Sequence, residues 1–357
     1  MWKTLGISVI GVVAATGAFF AWFFSLIDHS VPVGLQTTAP EDLPYYQQRL
    51  DPDRGKILVV VTSETEMGDS GKATGYEHTE LSRAYYVFRV NGFEVDIASP
   101  LGGEPKAILD DEDMGSLDYA FLNDTEAMAK AKNTLPLESV NGDDYRAVFF
   151  VGGKGTMWDF PDNTYIHQLV RDYAAQNKLL GGVCHGPAAL ANVLLDNGQP
   201  FLAGKTVAGF TNEEELFLIP EARELFPFLL EDRMREQGAD VVVGLPYLEN
   251  IAVTDGLVTG QNPWSVYATA EAMVQQLGYE PVARQATGDE NSVDVLIQYH
   301  LLGKVGARQA MDALGAADEA LNRNLIIMHG LVAAMQWRLK SAMELLVLAQ
   351  HAKSQTG

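Results

Sequence analysis

The chain has 357 residues, with 25 Lys and Arg against 47 Asp and Glu, a formal net charge of −22. So acidic a chain lacks the basic surface that nucleic acid demands, and its 47% hydrophobic and 20% charged content is that of a packed globular protein rather than a disordered one. The single cysteine, Cys184, excludes an intramolecular disulfide and any cysteine-rich zinc site.

The first element is an apolar run from Leu5 to Ile27, 23 residues without a charge, long enough as a helix to cross a hydrocarbon core of about 30 Å. It predicts a transmembrane anchor over residues 1–28, and the bulky Phe19, Phe20, Trp22, Phe23 and Phe24 speak against a cleaved signal peptide. Lys3 before the run and Asp28, Glu41 and Asp42 after it predict a single-pass protein with a cytoplasmic N-terminus and an exported body. Residues 29–55 carry four prolines and no periodicity, which predicts an extended tether.

Between 56 and 285, where 16 basic face 35 acidic side chains, short apolar runs alternate with helical patterns. Strands are expected at Lys56–Val61, Phe93–Ala98, Ala147–Val151 and Leu179–Val183, with a helix in GYEHTELSRAYYVFRVNG after the first. Alternation of this kind predicts an α/β domain with a mostly parallel sheet covered by helices on both faces, and ligands bound beyond the carboxyl ends of the strands. Residues 286–357 lose the strand signals and become helical, with two helices expected at about 291–302 and 305–352 and a break near Ala316. The longest charge-free stretch there, Asn324 to Trp337, has 14 residues, too few to span a bilayer. Its amphipathic face leaves room for a homodimer or another partner.

One segment carries chemistry. Gly182-Val183-Cys184-His185-Gly186 is a G-x-C-x-G sequence where a buried strand runs out and a helical pattern begins. Small residues on both sides permit the sharp turn of a nucleophile elbow, and a following helix N-terminus is expected to lower the thiol pKa. No HExxH and no compact cluster of His and carboxylates occurs, so the sequence calls for no metal, and without GxGxxG or GxxxxGK[ST] it calls for no nucleotide. No cofactor is expected.

GGVCHGPAAL resembles the nucleophile segment of the DJ-1/PfpI superfamily, specifically its Hsp31-like branch. The similarity extends over most of residues 56–275 through GKATGYEHTELSRAYYVFRVNGFEVDIASPLGG, FFVGGKGTMWDFPD, AGKTVAGFTNEEE, FPFLLEDRMREQGA and DGLVTGQNP. The resemblance implies a flavodoxin-like sheet and a catalytic set of Cys184, His185, Glu80 and an acid from the Glu213, Glu214, Glu215 cluster, of which Glu215 has the matching register. Glu77 and His78 lie near Glu80 but outside that register. Gly152, Gly153 and Lys154 resemble the loop whose N–H groups face the nucleophile and bind an oxyanion, with Lys154 where the branch generally carries His. The implied reaction is glyoxalase III-like conversion of a small carbonyl substrate, a 2-oxoaldehyde such as methylglyoxal, to a 2-hydroxy acid. Amide or peptide hydrolysis by the same thiol, and a membrane-tethered redox-sensing holdase, are the alternatives.

Overall fold

The computed structural model describes residues 16–30, 32–111 and 113–355. Two compact units divide them: residues 33–284 form one, and the N-terminal segment up to residue 32 joins residues from 285 onward in the other.

The first unit is built on a seven-stranded sheet: β1 (Lys56–Val60), β2 (Glu94–Ser99), β3 (Leu135–Pro136), β4 (Ala147–Phe150), β5 (Leu179–Val183), β6 (Ile251–Thr254) and β7 (Leu257–Gly260). Their order is β6-β7-β5-β4-β1-β2-β3. Every neighbouring pair is parallel except β6 and β7. The four expected strands thus sit together in the sheet, in the order β5-β4-β1-β2. The antiparallel pair at one edge closes through Asp255-Gly256, a two-residue turn in which Gly256 has φ 70°. Asp-Gly between IAVT and LVTG is a hairpin signal in the sequence.

Alternation along β1 divides the core. Ile57, Val59 and Val61 pack on one face, among residues of the helices His78–Val90 (α1) and Val266–Gln276 (α2). Leu58 and Val60 pack on the other, with the helix Thr164–Gln176 (α3). A strand buried on both faces needs apolar side chains at every position, which is why KILVVV carries no polar alternation. From β1 the chain moves outward through β2 and β3 and then returns to β4 on the other side of β1. The sheet therefore reverses its order between β1 and β4, where open α/β sheets leave a crevice at the strands' carboxyl ends.

Residues 33–55 do not form a loose tether. Short helical turns at Leu35–Thr37, Pro40–Asp42 and Pro44–Gln47 place Leu43 and Tyr45 in the core of this unit. The backbone continues by donating from Leu50 to Val90 at 3.0 Å.

The second unit is helical. Gly288–Ala316 contains a break at Gly303, whose φ of 69° and ψ of −169° are not helical. Arg323–Met335 and Leu339–Gln355 follow, separated by a turn in which Trp337 has φ 61°. Breaks thus occur at Gly303 and after Ala316, where the sequence expects them, and once more at the turn around Trp337, inside the stretch expected as helix to 352.

The membrane anchor requires correction. Among the described residues no helix is long and apolar enough to cross a membrane, which overturns the single-pass placement with a cytoplasmic N-terminus and an exported body. Residues 5–15 of the apolar run lie outside the described residues, and residues 16–26 form a helix within the second unit. Leu26 at its end is fully buried, while Phe19, Phe20 and Phe24 remain exposed. Its polar groups are matched to the C-terminal helices: Trp22 Nε1 donates to Gln350 at 3.0 Å, Lys353 donates to the Ser25 carbonyl at 2.6 Å and Arg323 to the Leu26 carbonyl at 2.5 Å. A window of sequence cannot distinguish a run that meets lipid from one that meets helices about 300 residues away.

Because the sheet and both of its cores lie within residues 33–284, a chain trimmed to those residues should unfold in one cooperative transition, seen coincidently by near- and far-UV circular dichroism. Loss of the near-UV signal with retained helix content would show that the unit lacks an independent core.

Candidate active site

Cys184 directly follows β5 and adopts φ 58°, a left-handed conformation rare for a side chain other than glycine or asparagine. Such a conformation costs about 1–3 kcal/mol and persists only where surrounding contacts over-determine it. Here the Cys184 N–H donates to Gly260 O at 3.0 Å, and its carbonyl accepts from Phe210 N–H at 2.9 Å. The turn is also tied to the loop after β4, because Thr156 Oγ1 lies 2.9 Å from Gly153 O and 3.1 Å from His185 O. Since β4 and β5 pair in parallel, with Phe150 opposite Gly182, their two loops emerge side by side at the carboxyl edge.

Four polar side chains converge on this turn, all of them buried. Cys184 Sγ lies 3.2 Å from His185 Nδ1, and His185 Nε2 lies 2.5 Å from Glu215 Oε2. A carboxylate only accepts, so the Nε2–H···Glu215 assignment leaves Nδ1 as the acceptor facing the thiol. Phe210 covers the imidazole with ring centroids 4.5 Å apart. From α1, Glu80, with no exposed surface, accepts the Gly152 N–H at 2.7 Å through Oε2. Its Oε1 is buried without a regular hydrogen bond, and its carboxyl lies against the Cys184 thiol.

The three acids of the NEEE cluster meet three different fates. Glu213 is exposed. Glu214 closes a capping box with Thr211 at the start of the helix Asn212–Leu218, and its other oxygen accepts from Tyr247 N–H at 2.7 Å and Asn262 Nδ2 at 2.9 Å. Only Glu215 reaches His185. His78 turns away, its Nε2 2.9 Å from the Asp118 carbonyl and its ring against Phe121.

The glycine loop is shaped by close approach. A Cβ on Gly152 would stand 2.5 Å from Glu80 Oε2 and 2.8 Å from Cys184 Cβ. Gly153, at φ 108°, lies over the backbone of Gly75 to Glu77, where no side chain fits. One expectation changes here: the Gly152 N–H is committed to Glu80 and is not a free oxyanion donor. The N–H groups of Gly153 and Lys154 donate no hydrogen bond among the described residues. Glu77, set aside by register, proves to be part of the surroundings, since its charge acts on both Glu80 and Cys184. It opens the helical run beside Glu80, and only the fold reveals that its side chain shares that environment.

Electrostatics overturn the expected low thiol pKa. The helical turn after Cys184 is the short 3₁₀ segment Gly186–Leu190, too brief for a substantial dipole. Burial pushes the Cys184 thiol well above its ordinary value, and the neighbouring Glu80 and Glu77 push in the same direction. Burial likewise raises Glu80 to about 8, with Glu77 adding to the shift and the contact with Cys184 opposing it. Glu77 is raised too, by burial first. Cysteine and acid therefore hold protons together through the neutral range, and each ionisation resists the other. No group of three or more metal-ligating side chains lies together among the described residues.

Removing a neighbouring negative charge should make the thiol more acidic. The pH profile of iodoacetamide alkylation at Cys184 should have its midpoint above the value of about 8.5 for a free thiol, and Glu80→Gln should move it downward. A wild-type midpoint below that of a free thiol would contradict the electrostatics described.

Comparison with known proteins agrees with this architecture. The model of the DJ-1/PfpI family matches residues 72–212. A Saccharomyces cerevisiae protein named glutathione-independent glyoxalase HSP31 is 32% identical over 235 residues, covering 62% of this chain and 98% of that protein. Glyoxalase 3 of Candida albicans is 30% identical, covering 61% of this chain and 97% of its own. Among solved structures, the rapid encystment protein of 24 kDa from Francisella tularensis superposes with a TM-score of 0.60 at 37% identity, over 63% of this chain and all of that one. Candida albicans glyoxalase III superposes with a TM-score of 0.56 at 26% identity, over 62% and 97%. With near-complete relatives at this level of identity and the strand-turn geometry around Cys184, the chain belongs to the DJ-1/PfpI family.

Proposed function

We propose that this protein converts 2-oxoaldehydes such as methylglyoxal to 2-hydroxy acids without glutathione, with Cys184 as nucleophile. The observation that carries the reading is the meeting of one buried sulfur with two separate proton-handling groups, the Glu215-bound His185 on one side and Glu80 on the other. The relatives named glyoxalases, at 30% and 32% identity, support the same reaction class.

A thiol with a raised pKa is not a resting thiolate, so it needs a base as it attacks. His185, with Nδ1 3.2 Å from the sulfur, takes the thiol proton as the C–S bond to the aldehyde carbon forms, and Glu215 stabilises the resulting imidazolium. The aldehyde oxygen gains negative charge, to which the N–H groups of Gly153 and Lys154 can donate. Protonation of that oxygen gives a hemithioacetal. Glu80 then removes the proton from the former aldehyde carbon and delivers it to the adjacent carbon, while the hemithioacetal hydroxyl proton passes to the neighbouring ketone oxygen, so that the hemithioacetal becomes the thioester of a 2-hydroxy acid. A carboxyl group raised to about 8 is a stronger base than an ordinary glutamate once ionised, and it holds the proton long enough to return it near neutral pH. Water cleaves the thioester, releasing the 2-hydroxy acid and restoring the thiol.

Purified protein given methylglyoxal in the absence of glutathione should form lactate, and Cys184→Ala should form none. Glu80→Gln should keep the fold and lower kcat by about 10²- to 10⁴-fold. Lactate formation unchanged in either variant would overturn the assignment.

A further inference from the structure

We infer that Asp118 is a positioning residue for Glu80: by taking Arg83 onto its own carboxylate and pinning the first turn of α1, it leaves Glu80 to face Cys184 and Gly152 instead of an arginine. The inference rests on the role proposed above for Glu80 and adds the group that keeps that acid available.

Spacing on α1 sets the problem. At about 100° per residue, Arg83 follows Glu80 by three positions and stands about 60° around the helix from it, so the two side chains are surface neighbours. Glutamate and arginine at that spacing ordinarily pair. Glu80 nevertheless takes no hydrogen bond or ion pair from Arg83: its Oε2 accepts from the Gly152 N–H at 2.7 Å, and its Oε1 has no regular partner. The guanidinium is drawn the other way. Arg83 Nε and Nη2 lie 3.3 and 3.0 Å from Asp118 Oδ2, and Nη2 also donates to the Asp113 carbonyl at 2.7 Å. Both partners of this ion pair are buried.

Asp118 is itself held in place. The Gly115 N–H donates to Oδ2 at 2.8 Å at the start of the helix Ser116–Asn123. Ser82 donates to Oδ1, and His78 Nε2–H donates to the Asp118 carbonyl at 2.9 Å. His78 and Ser82 are one turn apart on a single face of α1, roughly opposite Glu80. Asp118 therefore grips the helix start from one side while Glu80 meets the thiol on the other. The titratable and charged groups acting on Glu80 are Cys184 from the turn after β5, Glu77 just ahead of α1 and Arg83 on α1, with Lys154 and His185 acting on Glu77 beside it. Burial raises Glu80 most, and Arg83 opposes that rise less than the Cys184 contact and the Gly152 N–H do, as suits a charge already matched by a carboxylate. A buried ion pair adds little net stability over apolar residues of the same size. Its worth here lies in where it holds the charge.

Loss of the Asp118 charge alone should return Arg83 to Glu80. Infrared difference spectroscopy across pH, with each full-length protein measured against the same protein carrying Glu80→Gln, isolates the carboxylic-acid band of Glu80. In Asp118→Asn the midpoint of that band should move down by about one to three pH units, as for a carboxyl group brought beside an arginine. Arg83→Met combined with Asp118→Asn removes both charges and leaves no buried ion behind, so its midpoint should stay close to the wild type. An unchanged midpoint in Asp118→Asn, or a midpoint in the double variant well above the wild type, would overturn the inference, and the second result decides it even where Asp118→Asn does not fold. In turnover, Asp118→Asn should lower kcat about tenfold or more with little change in KM, because an acid held ionised by arginine is a weaker base, and the double variant should recover it. Equal loss of kcat in both would mean that Asp118 serves the fold alone, which also overturns the inference. If the wild type forms no lactate, the proposed reaction fails, while the infrared midpoints still decide the role of Asp118.

Discussion

The desolvation of Glu80 against Cys184 is the constraint from which most of the site follows. A carboxyl group with no exposed surface, held by one N–H from Gly152, strongly favours its neutral form. The sulfur beside it is subject to the same penalty, so neither group can ionise freely. This arrangement disfavours a resting thiolate. Under the proposed mechanism, activation is therefore proton transfer inside the site, with His185 as the acceptor of the thiol proton and Glu215 orienting the imidazole.

Packing serves this electrostatic arrangement. Gly152 must lack a side chain because Glu80 and Cys184 occupy the space its Cβ would take. The left-handed turn at Cys184 is held by hydrogen bonds from β7 and from the segment leading to the Glu215 helix. Parallel pairing of β4 and β5 brings the glycine loop alongside that turn, while the reversal of strand order beside β1 admits α1 and its acids. The sheet thus supplies rigid support, and the reactive side chains occupy the loops and helix start at its carboxyl edge.

Much of this was legible in the sequence. The β-branched runs marked the central strands because a strand buried on both faces has no room for polar residues, and G-x-C-x-G marked the turn because few residues fit there. Glu80 and Glu215 could be chosen by family register. Other features depended on long-range packing: Glu77 carried no local signal of burial, and the raised thiol pKa reflects acids brought in from α1. Near the N-terminus, the pairing of Trp22 and of the Ser25 and Leu26 carbonyls with Gln350, Lys353 and Arg323 carries no local signal, because those partners lie far away in sequence. In the C-terminal region, apolar spacing identified helices and the breaks near Gly303 and Ala316 but not the turn at Trp337, whose left-handed backbone interrupts an otherwise continuous pattern.

The central claim is that sulfur addition and proton transfer are separate tasks of Cys184 and Glu80. Intact-protein mass spectrometry of Glu80→Gln during incubation with methylglyoxal, compared with the same variant carrying Cys184→Ala as well, tests it directly. The account predicts a species carrying one methylglyoxal equivalent on Cys184 that accumulates with little lactate formed, because addition proceeds while the following proton transfer is blocked. Full lactate production by Glu80→Gln with no accumulated adduct, or an unmodified Cys184 beside adducts only on surface lysines and arginines, would contradict it.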